Sequence, residues 1–301
     1  MKSAAEQLTG VSAVHVADRE GDSYELLAKM VQKRMRFIIR LRADRKARKP
    51  FSSDPEWSRL KTLLRATEGL LEREVPLSPR KAKAAPGANH GRPPRKARLA
   101  KLQFSAAPIE IKKTDYLLSQ ALPKTLTINV VRVLEIDVPP GETPVEWFIA
   151  TTEPIATPDD VAKIVDIYRA RWCIEEFNQT LKTGCAYETR EFESKAALLN
   201  VLALSLPIAV ELLWLRSRAR ADPEAPATDV LSPTQIRVLQ ATAPRKLPEE
   251  PTARQALLAI AEMGGHVRAN GEPGWLVLHR GLAALFAYEA GWAAREREAD
   301  L

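Results

Sequence analysis

Residues 164–184 read IVDIYRARWCIEEFNQTLKTG, and this stretch decides how the rest of the chain is understood. Thr157 is placed as an N-cap, Pro158 suits the first helical position and Asp160 lies three residues past the cap. Gly184 is a fitting stop. The spacing predicts one helix from this cap to Gly184. At 100° per residue, Tyr168, Arg171, Glu175 and Lys182 fall within an arc of roughly 60°. Ile167, Ala170, Ile174, Phe177 and Leu181 fall on the opposite side. The expectation is therefore a greasy face against a core. A phenol, a guanidinium, a carboxylate and an ammonium stand in a column on the other face.

Charged columns on helices are often solvated faces carrying i,i+4 pairs. This one differs because a phenol belongs to it and cations flank a single acid. Cations that grip phosphates, with a carboxylate that holds a metal, are what phosphodiester chemistry requires.

The spacing Y-x2-R-x3-E-x6-K, with Trp172, the Glu175-Glu176-Phe177 run and Lys182-Thr183-Gly184, resembles the signature of DDE transposases of the insertion-sequence-four family, transposon-five type. The resemblance implies an α/β fold, with an RNase H-like catalytic core, a β-rich insertion and an α-helical C-terminal region. It also implies Mg2+-dependent DNA cleavage and strand transfer at transposon ends through two metal ions held by carboxylates. Tyr168, Arg171 and Lys182 would grip phosphates, and Glu175 would be a metal ligand.

The other site residues follow from position and from the same resemblance. Residues 11–17 alternate and are β-branched, a strand pattern. It runs into Asp18-Arg19-Glu20-Gly21-Asp22, and a carboxylate at the end of a core strand sits where α/β sheets bind ligands. Asp22 reads as the cap of a helix over 23–34. Asp18 is the better chemical candidate, and D-R-E-x-D resembles the family's second-aspartate motif. A second strand over 36–42 carries Arg36, Arg40 and Arg42, which suggests one covered and one basic face. Arg40 and Arg42 are candidate DNA contacts or a solvated edge. Trp147 opens the strand pattern VEWFIATT. It is either a core tryptophan or, as the resemblance implies, the aromatic partner of a flipped base.

The expected organisation is a first catalytic-core segment over 1–44, a basic β-rich insertion over 45–140, a second core segment over 141–195 and helices over 196–301. Within the insertion, 80–101 is rich in Pro, Gly and cations and reads as a basic loop. Strand patterns follow near 99–112 and 126–138. The C-terminal helices resemble a dimerisation region, for a homodimer or for pairing with a full-length enzyme.

The chain has 301 residues, 45 Lys and Arg against 38 Asp and Glu, and a pI near 9.4. That balance favours an anionic partner such as DNA. Cys173 and Cys185 form no C-x2-C pattern, which argues against a zinc site and fits a reducing cytoplasm; Cys173 reads as core. The apolar run from Ala196 contains Asn200, Pro207 and Glu211 and reads as a buried helix, with no membrane partner.

The resemblance also calls for a first aspartate well upstream of D-R-E-x-D, and no aspartate precedes Asp18 here. The expectation is an N-terminally shortened transposase. Asp18 and Glu175 would be two of three metal-binding carboxylates, leaving the two-metal site incomplete. Three functions compete: a DDE transposase, a non-catalytic chain that dimerises with and inhibits the full-length enzyme, and a general nuclease or basic DNA-binding module.

Overall fold

The computed structural model describes residues 12–50, 56–79, 94–114, 117, 121–185 and 191–299. The chain divides into two compact units, residues 1–171 and 172–301.

The first unit is built on one eight-stranded sheet. Strands β1 (Val14–Ala17), β2 (Arg36–Arg40), β3 (Lys46–Arg48), β4 (Ser58–Arg59), β5 (Leu71–Leu77), β6 (Arg98–Lys112), β7 (Thr125–Ile136) and β8 (Glu146–Thr151) lie in the order β1-β2-β8-β7-β6-β3-β4, with β5 also paired to β6. β1 and β2 are parallel and joined by helix α1 (Tyr24–Gln32); the β2–β8, β8–β7 and β7–β6 pairs are antiparallel. The β-rich stretch therefore forms no separate layer. Its long β6–β7 ribbon continues the sheet that β1, β2 and β8 begin.

Period-two alternation fills both faces of this sheet. Phe37, Ile39, Val130, Phe148 and Ala150 point to one side, where α1 and the short helix α2 (Leu60–Arg65) cover them. Ile38, Val131, Val133 and Ile149 point to the other, against helix α3 (Pro158–Ala170). Here the structure corrects the expected basic face of β2. Phe37, Ile38 and Ile39 are all buried, and the arginines stand at the strand ends. A central strand covered on both faces reads as a continuous apolar run, and in RFIIR that run is only three residues long.

Two further expectations are corrected in this unit. Asp22 does not cap α1: Ser23 is the N-cap and makes no side-chain cap bond. The Asp22 carboxylate instead accepts the backbone N–H groups of Arg42 and Ala43 at 2.6 and 2.7 Å and pairs with the Arg45 guanidinium. Arg98 and Lys101 belong to β6 rather than to the basic loop. Arg98 bridges Glu135 and Glu142, and Lys101 pairs with Glu72. The guanidinium beside Glu135 holds that carboxyl below its ordinary range. Of the expected basic loop, residues 80–93 lie outside the described residues.

The second unit is helical. Helix α4 (Trp172–Gln179) runs into a π-turn at Thr180–Gly184. Helices α5 (Lys195–Ala221), α6 (Pro233–Thr242), α7 (Ala253–Met263) and α8 (Trp275–Ala299) follow. Their shared core includes Leu212, Leu215, Leu239, Leu257, Ile260, Leu278 and Leu282. Ser232/Gln235 and Thr252/Gln255 form reciprocal capping boxes that start α6 and α7.

Helix α5 is covered on one stripe only. Ser205, Ala209, Leu212, Leu215 and Ala219 are buried, while Leu199, Leu204, Val210 and Trp214 are exposed. This corrects the expected buried helix: a run apolar on all sides does not reveal which side finds a partner. By length and composition alone α5 could also cross a membrane.

Glu211, on α5, is pushed up from its ordinary carboxyl range by burial first and by Glu289 second. A carboxyl that holds its proton more tightly when folded contributes stability below its unfolded pKa. That contribution is lost as pH rises through the higher folded value. Glu211→Gln is therefore expected to melt at a higher temperature than the parent at pH 7. The gap should close below the ordinary glutamate value of about 4.3. Melting curves across pH check the sign, and a lower melting temperature for the variant at pH 7 would contradict it.

Candidate functional site

The signature begins as the sequence predicts. The Thr157 hydroxyl accepts from the Asp160 N–H at 3.2 Å, and the Asp160 carboxylate accepts from the Thr157 N–H at 3.0 Å, a complete capping box with Pro158 in the first turn. The single helix does not follow. α3 ends at Ala170 and tightens at Arg171, whose N–H donates to the Tyr168 carbonyl at 3.2 Å. α4 then starts at Trp172, and a π-turn occupies 180–184, where the Cys185 N–H reaches the Thr180 carbonyl at 3.0 Å. A wheel of 3.6 residues per turn does not hold through such a segment.

The column is accordingly divided. Tyr168 and Arg171 belong to the first unit, Glu175 and Lys182 to the second. Tyr168 is not on a polar face. It is buried in line with Val161, Ile164 and Val165, one stripe at i, i+3, i+4 and i+7. Ala170 and Ile174, expected on the greasy face, are exposed, as is Cys173, which was expected in a core. Arg171 is half-buried; Glu175 and Lys182 are exposed.

Within the first unit, three expected site residues come together. The Trp147 ring meets the Tyr168 ring edge-on, with centroids 5.7 Å apart. The Arg40 guanidinium lies over the Trp147 ring, 5.3 Å from its centroid. A neighbouring cleft of about 370 Å³ is lined by Trp147, Arg40, Arg19, Arg95, Glu142 and Glu146 among others. Both acids have arginine partners: Glu146 with Arg65 and Arg132, Glu142 with Arg98. Arg65, ahead of burial and of Arg132, holds the Glu146 carboxyl below its ordinary range. With its acids already compensated, the cleft favours an anion beside a flat aromatic ring.

Arg19 and Arg95 are additions that residue spacing does not single out. Arg19 lies inside D-R-E-x-D, a motif whose carboxylates are its conspicuous members. Arg95, whose guanidinium donates to the Ser78 carbonyl, is one cation among many in a basic run. Arg42, a candidate DNA contact, is exposed, and its backbone N–H serves the Asp22 carboxylate.

Asp18 follows the end of β1, half-buried, and its Oδ1 accepts from the Glu20 N–H at 2.9 Å. A carboxylate at a strand end is a suitable hard donor for Mg2+. Among the described residues, however, no three His, Cys, Asp or Glu side chains converge into a group able to hold an ion. The donor chemistry fits a divalent metal; the donor number does not.

The family model of the transposase DDE domain matches residues 3–206, about two thirds of the chain. This chain belongs to the DDE transposase family. The match covers Asp18, Arg40, Trp147 and the whole run from Tyr168 to Lys182. Transposases of this family transfer phosphoryl groups on DNA and generally use a divalent metal, so DNA is the substrate class that membership implies. The mixed α/β sheet with helices on both faces is consistent with that membership.

Proposed function

We propose that this transposase domain acts on transposon ends in the manner of the insertion-sequence-four family, on an RNase H-like core. The observation that carries the reading is the Arg40–Trp147–Tyr168 contact at the edge of a cation-lined cleft. A flat ring stacked by one guanidinium and buttressed by a second ring is held rigid. It can receive a base drawn out of a DNA end, while nearby guanidinium groups hold the backbone. Arg171, Lys182, Arg40 and Arg42 are the cations we assign to phosphates, while Tyr168 buttresses the Trp147 ring. Asp18, in the first unit, and Glu175, in the second, are the carboxylates we assign as candidate Mg2+ ligands. A second copy of the chain is the proposed protein partner. Leu199, Leu206, Val210 and Trp214, all exposed, lie within an arc of about 80° on α5 and form an apolar stripe that suits such pairing.

The exposed apolar stripe on α5 also supports a second reading. In it the chain binds DNA and pairs with a catalytic transposase without cutting, and so inhibits it.

Both readings require the signature cations to touch phosphate. Arg171→Gln and Lys182→Gln are each expected to weaken duplex binding to a similar degree on every sequence, because backbone contacts carry no sequence information. Arg237→Gln, an exposed arginine outside the signature, should bind like the parent. Fluorescence anisotropy on several duplexes checks this. Parent-like affinity for both signature variants would remove them from the DNA interface.

A further inference from the structure

A second cation-lined groove lies in the same unit, at the far end of the β6–β7 ribbon. It encloses about 350 Å³, and its walls include Lys46, Arg59, Lys112, Lys113, Asp44 and Thr114. Trp147 pairs with Val133, and Val133 with Phe104; Lys112 lies eight residues further along β6. At about 3.3 Å per residue, the groove is roughly 25 Å along the strand from the Trp147 cleft. Nothing in the Arg40–Trp147–Tyr168 arrangement uses it.

Its charge is built in. Lys46 and Arg59 are register partners on β3 and β4, so two cations stand opposite each other. The nearby Arg45 and Arg48 are compensated by Asp22 and Glu110. The one acid among the six, Asp44, is occupied: its Oδ1 accepts from the Lys61 N–H at 3.0 Å, and its carbonyl accepts from Arg59 at 2.9 Å. Lys112 lies over the Trp57 ring at 5.9 Å, with Arg48 over the same ring at 4.7 Å. Arginine and lysine on a tryptophan make a surface suited to a nucleic-acid strand. The Thr114 hydroxyl is buried and has no hydrogen-bond partner among the described residues. A buried hydroxyl left without a partner costs free energy unless a ligand satisfies it.

We infer that this groove is a second binding site for the phosphodiester backbone of DNA, separate from the Trp147 cleft. The inference rests on the DNA-acting reading above. The lysines neutralise backbone phosphates and release counterions, and the Thr114 hydroxyl donates to a phosphate oxygen.

The salt dependence of duplex binding tests it. Each phosphate contact contributes about 0.9 to the slope of log affinity against log salt. The Lys46→Gln/Lys112→Gln double variant is expected to lose about 1.8 from that slope, twice the single-contact value, with an unchanged melting curve. Trp147→Ala should weaken binding while keeping the parent slope. Thr114→Val should weaken binding without lowering the melting temperature. A parent slope in the double variant, with the parent still binding DNA, would overturn this site alone. Failure of the parent to bind DNA would overturn the functional reading and this site with it. Competition by inorganic phosphate beyond its ionic-strength effect, lost in the double variant, would reassign the groove to a free anion and also overturn the inference.

Discussion

Asp22→Ala is expected to destabilise the first unit by about 3–5 kcal/mol, the cost of removing one partner from a buried ion pair. The Asp22 and Arg45 side chains are only 1% and 7% exposed. Asp22 also satisfies the Arg42 and Ala43 N–H groups and thereby shapes the chain between β2 and β3. The variant leaves a buried guanidinium with little compensation and two backbone donors without their acceptor. The melting temperature should fall by roughly 10 °C, at about 2–4 °C per kcal/mol for a unit of this size. The cause is separable from the loss. An Asp22→Leu/Arg45→Met double variant removes both charges and should recover much of the stability, since well-packed apolar replacements of buried pairs are often neutral or better. Parent-like melting of Asp22→Ala, or a double variant worse than the single, would contradict this account.

The second large effect lies in the helical unit. Gly281→Ala is expected to cost about 3 kcal/mol or more, at the upper end for overpacked contacts. A Cβ there would stand 1.7 Å from the Ile260 carbonyl oxygen, and one at Gly264 would stand 1.8 Å from that of Val277. The two glycines let α7 and α8 approach backbone to backbone, and a carbonyl cannot swing aside as a side chain can. Gly291, in the same helix, supplies the control. Nothing lies within 4 Å of its would-be Cβ, so Gly291→Ala should gain up to about 1 kcal/mol from helix propensity. Denaturant unfolding of the pair checks the contrast, and equal midpoints would refute the close-approach argument.

The sequence placed most strands of the sheet and the Thr157 helix cap, because those signals are local. TLTINVVRVLEIDV alternates as β7 does, and Thr157-Pro158-Asp160 forms the cap it implies. What the sequence did not show depends on partners distant in the chain. Helices were expected over 196–301, but nothing local marks Gly281, inside α8, as a crossing point. Asp22 read as a cap because Ser23 and the helix adjoin it. Its true partners lie some twenty residues on. Tyr168 fitted a polar column on an ideal wheel, but a phenol buries well, and the stripe Val161, Ile164, Val165 claims it. The break at Arg171 and the π-turn at Thr180–Gly184 have no signal in residue spacing, because every residue there can form an ordinary helix. The cleft was legible only partially. Arg40 and Trp147 stood out as residue types, while Arg19 and Arg95 became visible only once the strands were assembled.

The most direct test of the central claim is the response of DNA affinity to Mg2+, measured at matched ionic strength for the parent and for Glu175→Gln. If Glu175 is a metal-holding carboxylate of a DNA-acting transposase, Mg2+ should tighten duplex binding by the parent. In the variant that enhancement should vanish, while its affinity without metal equals or exceeds the parent's because one negative charge facing phosphate is gone. Identical Mg2+ responses in the two proteins would make Glu175 an ordinary surface acid and contradict the account.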